Sequence, residues 1–167
     1  MIFQEIVDAI KNKFSENIVI EINHEAEQPY LVIQPDSVLA VCNYLYSTDG
    51  LLFDYLSCIT GVDLFPKINE LEIIYHMNSI ILKHNFVLKT RVDRNIEDGV
   101  MPLVPSVTSI WKTADWHERE TYDFFGVIFE GHPNMKRILL PSNWEGHPLR
   151  KDYSEQEYFH GIKVKYE

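Results

Sequence analysis

The stretch "IILKHNFVLKTRV", residues 80–92, restricts the fold more than any other part of this chain, because its apolar and polar side chains alternate. A period of two sends successive side chains to opposite faces of a strand. Ile80, Leu82, Phe86, Leu88 and Val92 are therefore expected on one face, and Lys83, Asn85, Lys89 and Arg91 on the other. A strand with one wet face belongs to a sheet whose second face is covered. "LEIIYHM" precedes it across Asn78-Ser79, read as a tight hairpin, and "LFDYLSCITGVDL" supplies another strand before the loop at Pro66. The middle of the chain is thus expected to be an antiparallel meander.

The cover comes from three segments with helical spacing. Phe3, Val7, Ile10 and Phe14, widened by Ile2 and Ile6, form an apolar stripe over residues 2–14. "PDSVLAVCNYLYSTDG" opens on a capping sequence, carries Val38, Val41, Cys42 and Leu45 on one face and stops at Gly50. "IWKTADWHERETYDFFG" places Trp111, Ala114, Tyr122 and Phe125 on one face, with Gly126 as its stop. "NIVIEI" and "PYLVIQ" read as short strands between the first two helices. The fold class is α+β, an antiparallel sheet with helices on one face over residues 1–130. It is followed by an extended, irregular C-terminal arm, 131–167, too rich in Trp, Pro, Leu and Tyr to float free.

Charge narrows the partners. The formal net charge of −10 excludes a phosphate-backbone binder, which needs a basic surface. Yet residues 131–153 carry four cations, Lys136, Arg137, Arg150 and Lys151, against Glu145 and Asp152, a weakly positive strip on an acidic body. No apolar run approaches the ~18 residues of a membrane span, so direct membrane insertion is not expected. Cys42 and Cys58 form no Cys-x-x-Cys pair, which fits a reducing cytosolic setting and indicates no disulfide framework, zinc site or iron–sulfur cluster.

Catalytic motifs fail one by one. There is no Gly-x-Gly-x-x-Gly and no phosphate-binding loop. His117-Glu118 begins like a zinc-protease helix, but Thr121 stands where the second His ligand is needed. Glu118 and Glu120, two apart on a helix, do not face each other. The charges of this helix read instead as surface i,i+4 contacts, Asp115 to Arg119 and Arg119 to Asp123. His117, His132 and His147 recur every fifteen residues, but the last two lie in Gly-His-Pro, where Gly permits positive φ and Pro favours extended His, so turns account for them without a metal. An independent enzyme built on His117, Glu118 or Glu120 is the reading least favoured by the residues.

The segment "ERETYDFFGVIFEGHPNMKRILLPSNWEGHPLRKDY", residues 118–153, resembles the characteristic stretch of the 30-kDa-type, or C, subunit of respiratory NADH:quinone oxidoreductase (complex I). Glu118, Arg119, Glu120, Tyr122, Asp123 and Gly126 match its motif helix, and the two Gly-His-Pro turns, Arg137, Trp144 and Leu149 to Tyr153 follow in order. Met135, Ser142 and Ser154 depart from it. The resemblance implies a non-catalytic subunit of a proton-translocating enzyme, with FMN, iron–sulfur clusters and quinone carried by partner subunits and no cofactor in this chain. It also implies a hetero-oligomer in which the chain braces a separate large quinone-site subunit and neighbouring iron–sulfur subunits, on the cytoplasmic side of the cell (inner) membrane. Candidate interface residues are His132, Lys136, Arg137, Trp144, His147, Leu149, Arg150, Lys151 and Tyr153. The alternative is the equivalent scaffold of a membrane-bound hydrogenase or a plastid or cyanobacterial quinone reductase.

Overall fold

The structure, a computed structural model, describes residues 2–94 and 99–164. Helix α1 (Phe3–Phe14) opens where the Glu5 carboxylate accepts the Ile2 N–H at 2.9 Å, and it buries Ile6, Val7 and Ile10 completely. A hairpin of β1 (Val19–Asn23) and β2 (Tyr30–Ile33) follows, then helix α2 (Val38–Ser47), whose stripe of Val38, Val41, Cys42 and Leu45 is buried as its spacing implied. Strands β3 (Tyr55–Asp63), β4 (Glu70–Ser79) and β5 (His84–Asp93) form the meander. Strand β6 (Leu103–Pro105) pairs in parallel with β7 (Ile128–Glu130), with helix α3 (Ala114–Phe125) between them.

The α+β class holds, with two corrections inside it. The main sheet runs β1-β2-β5-β4-β3, and its β2–β5 pair is parallel, Leu31 opposite Leu88 and Ile33 opposite Thr90. Helix α2 causes this: it carries the chain back over the sheet between β2 and β3, so both strands run in the same direction as β5. The second correction is the hairpin. β4 and β5 pair as far as Ser79 and His84, and the turn is residues 80–83, where the Ser79 carbonyl accepts the Lys83 N–H at 2.9 Å. Ile80 and Leu82 therefore leave the core face, and Ile81 beside them is 71% exposed. The alternating pattern therefore begins inside the turn, four residues before β5 itself.

All three helices lie on one face of the sheet, against Leu71, Ile73, Tyr75 and Met77 of β4 and Phe86, Leu88, Thr90 and Val92 of β5. The opposite face is the wet one, as expected. There Glu72 accepts from Lys89 at 2.8 Å and from Arg91 at 2.9 Å, and Arg91 also pairs with Glu21 at 3.0 Å. Helix α3 reaches the sheet at Gly61, where a Cβ would stand 2.6 Å from the Phe125 ring. Crowding, not backbone freedom, requires glycine here. Gly61→Ala is expected to destabilise the chain by about 2 kcal/mol through overpacking, a fall in thermal midpoint of roughly 4–8 °C. Calorimetry of the variant checks it.

Candidate functional site: a polar clasp between α3 and the arm

Beyond Gly131 the chain has little regular structure up to the two-residue strands β8 (Tyr158–Phe159) and β9 (Ile162–Lys163). The last residues of the expected arm, 165–167, lie outside the described residues. The arm nevertheless has many internal partners, and they converge on α3.

Asp123 is the centre. Its side chain has no solvent exposure. Oδ2 accepts the backbone N–H groups of Ile138, Leu139 and Leu140 at 3.0, 2.8 and 2.9 Å, and Oδ1 accepts Arg137 Nη1 at 2.7 Å. Burial pushes this carboxyl upward, but the bonds from Leu140, Arg137, Leu139 and Ile138 outweigh burial and hold it below the ordinary aspartate range. Arg137 continues the chain of bonds, donating through Nη2 to the carbonyls of Trp144 at 3.1 Å and Gly146 at 2.8 Å. One carboxylate and one guanidinium thereby fix the path of the arm from 137 to 146.

The end of α3 is closed by the same segment. A helix leaves its last carbonyls without partners and carries partial negative charge there. The Asp123 carbonyl accepts Arg137 Nη1 at 3.0 Å and His147 Nδ1–H at 3.0 Å, the Phe124 carbonyl accepts the Leu149 N–H at 3.2 Å, and the Phe125 carbonyl accepts Arg150 Nε at 2.6 Å. Burial first, and the neighbouring Arg150 and Arg137, keep His147 below the usual imidazole range, which fits a neutral ring donating from Nδ1. Gly126 ends the helix at φ 70°, and a Cβ there would lie 2.5 Å from His147 Nε2 and 3.0 Å from Arg150 Nη2.

Two flanking anchors complete the clasp. Upstream, Arg119 donates to the carbonyls of Lys136 at 3.2 Å and Arg137 at 3.4 Å, and the buried His132 ring donates from Nε2 to the Asp115 carbonyl at 3.2 Å. Downstream, Asp63 at the end of β3 accepts the Lys151 N–H at 2.8 Å and pairs with the buried Arg94 at 3.0 Å, and Arg94 also binds Asp152. At the outer edge of the arm Trp144 donates to the Tyr153 hydroxyl at 3.1 Å and packs on Phe159.

This arrangement corrects the reading of α3. Its inward side carries Glu118, Arg119, Thr121 and Asp123, whereas Tyr122, expected inside, is only half-buried and Glu120 is exposed. Asp123 meets Arg137 rather than Arg119, and the surface contact survives only between Asp115 and Arg119, at 3.9 Å. Among the expected interface residues, His132, Arg137, His147 and Arg150 turn inward onto α3, Trp144 and Tyr153 are half-buried against each other, and Lys136, Leu149 and Lys151 face outward. Asp63 and Arg94 carry no local signal, because strand register alone brings the ends of β3 and β5 together. Leu139, whose N–H is one of Asp123's three backbone donors, leaves its side chain 60% exposed.

Both oxygens of Asp123 accept hydrogen bonds, and His147 Nδ1 donates to a carbonyl. Among the described residues no group of three or more His, Cys, Asp or Glu side chains is placed to hold a metal ion, and no helix is long and apolar enough to cross a membrane.

Residues 31–159 match the family described as respiratory-chain NADH dehydrogenase, 30 Kd subunit. A Chlorobium phaeobacteroides protein, named as the C subunit of NADH-quinone oxidoreductase, is 40% identical over 95% of this chain and 93% of its own length. A protein of the same name from Chloroherpeton thalassium is 42% identical over 94% of this chain, which spans 63% of that relative's length. Among solved structures, a chain of the membrane-bound sulfane sulfur reductase, an archaeal respiratory membrane complex, aligns over 90% of this chain and 85% of its own, with a TM-score of 0.72 and 28% identity.

Proposed function

The chain belongs to the family of the respiratory-chain NADH dehydrogenase 30 Kd subunit, and from that premise we propose that it is a non-catalytic structural subunit of a proton-translocating NADH:quinone oxidoreductase. It braces the large quinone-site subunit and neighbouring iron–sulfur subunits, which carry FMN, clusters and quinone, and it attaches peripherally on the cytoplasmic side of the cell (inner) membrane through them. Alone it has no turnover. The observation that carries this reading is that Arg119, Asp123, Arg137, His147 and Arg150 are engaged in holding the arm on α3, while Lys136, Leu139, Leu149 and Lys151 turn outward. Exposed leucines flanked by cations on a fixed backbone path suit a docking surface.

The fold shared with a chain of the sulfane sulfur reductase supports a second reading, the same scaffold in a related membrane-bound complex with another electron acceptor. Mass spectrometry of the purified membrane assembly separates the two by the cofactor-bearing subunits that accompany this chain.

The docking reading is tested with Leu139→Asp and Leu149→Asp together. Both side chains are more than half exposed, so the thermal midpoint of the free chain should stay within roughly 2 °C of wild type. Loss of two interface anchors at about 2 kcal/mol or more each should lower the yield of intact complex on native gels at least tenfold. Normal assembly with both leucines replaced removes this surface from the interface.

A further inference from the structure

Glu118, on the inward side of α3, makes none of the hydrogen bonds that hold the arm. Its side chain is wholly buried, Ser106 Oγ donates to Oε2 at 2.7 Å and the Val107 N–H to Oε1 at 2.7 Å. Ser106 in turn meets Thr108 Oγ1 at 2.8 Å. Those two donors are neutral, and none of the ion pairs among the described residues includes Glu118. The titratable groups near it are Cys42 of α2, Tyr75 of β4 and Asp115 of α3 itself, none of which supplies positive charge. Tyr75 Oη is also fully buried and has no hydrogen-bond partner there. An ionised carboxylate in such a place is costly, because two neutral hydrogen bonds do not replace water around a charge.

We propose that Glu118 is a proton-operated joint in the body of the protein: neutral, it fastens α3 to the 106–108 turn, and ionised, it becomes a buried charge without a counterion that loosens α3 and the arm moored on its far end. Burial raises the carboxyl to about 7, against the lowering effect of the bonds from Val107 and Ser106, and the Asp115 charge adds to the rise. The sign follows from linkage. A carboxyl raised on folding adds a proton to the native state, so its support is complete below the ordinary glutamate range and is lost as pH rises through about 7. Three histidines lowered by burial, His76, His117 and His147, give the opposite slope, so a matched variant must isolate the Glu118 contribution.

Glu118→Gln keeps the shape. Its amide oxygen can accept the Val107 N–H, its NH2 can donate to the Ser106 hydroxyl, and it has no charge to acquire. The unfolding equilibrium of the full chain is measured by urea titration at about pH 6 and about pH 8.5 in both proteins. The ratio of wild-type to variant unfolding constants should rise roughly tenfold across that interval, with amide exchange at Val107 and along α3 faster in wild type at the higher pH. A ratio that does not change with pH overturns the proposal. Should the variant fail to fold, 13C-glutamate labelling of the wild type decides: a carboxyl resonance titrating between about pH 6 and 8 and absent from Glu118→Asp supports the joint, and no such resonance overturns it.

Discussion

Asp123→Ala is expected to lower the unfolding free energy by about 3–5 kcal/mol, because removing one partner of a buried ion pair strands the other. Arg137 loses its countercharge, and the N–H groups of Ile138, Leu139 and Leu140 lose their common acceptor in a single step. The thermal midpoint should fall by roughly 10–15 °C, and limited proteolysis should open the chain between 131 and 146 before it reaches the meander. Acid provides a second readout. A carboxyl held low by folding gives support that is complete above the ordinary aspartate range and lost as pH falls through its depressed value. Wild type should therefore lose stability on that acid limb more steeply than the variant. Equal midpoints for the two proteins would mean that the arm is held by something other than Asp123.

Gly126→Ala should produce the next largest effect, about 2–4 kcal/mol, from two causes at one atom. The left-handed φ of 70° costs an L-residue with a side chain, and the added Cβ lies within 3 Å of both His147 and Arg150. Displacing those two side chains frees the carbonyls of Asp123 and Phe125 at the negative end of α3. Thermal denaturation gives the magnitude, and the His147 ring resonances in NMR report whether the imidazole has left its carbonyl. A variant that loses stability while His147 stays in place would assign the whole effect to backbone strain.

Much of this fold was legible because burial and period coincide in it. The stripes of α1 and α2, the strands of the meander and the charged face of β5 follow from spacing alone. What escaped depended on distant partners. The turn at 80–83 occupies the first residues of a stretch whose alternation reads as strand, and nothing in "PYLVIQ" announces that it lies parallel to a strand far ahead. The inward charges of α3 were hidden by the ordinary rule that charged residues face water. Asp123 is buried only because Arg137 and three amides reach it from 14 to 17 residues downstream, and Glu118 only because the segment before its own helix supplies two donors. The Gly-His-Pro turns were read correctly as turns, with Gly131 and Gly146 at positive φ, but their cations were read as facing outward. Arg137 and Arg150 instead donate to the last carbonyls of α3.

The parallel β2–β5 pair bears on the order in which the molecule can be made. Thr90 donates to the Ile33 carbonyl across 57 residues of sequence. On a ribosome adding ~5–20 residues per second, β2 waits roughly 3–11 s for its partner. During that interval the β1–β2 hairpin and the β3–β4 pair lack the strand that joins them into one sheet. The last strand of the meander is the one that joins the two halves, so the core closes in one late event. Only then does α3 have a surface to lie on, and only after α3 is in place do Arg137, His147 and Arg150 find the carbonyls they cap. Synthesis therefore runs in the same direction as assembly of the body, and the surface carrying Leu139 and Leu149 is the last to take shape.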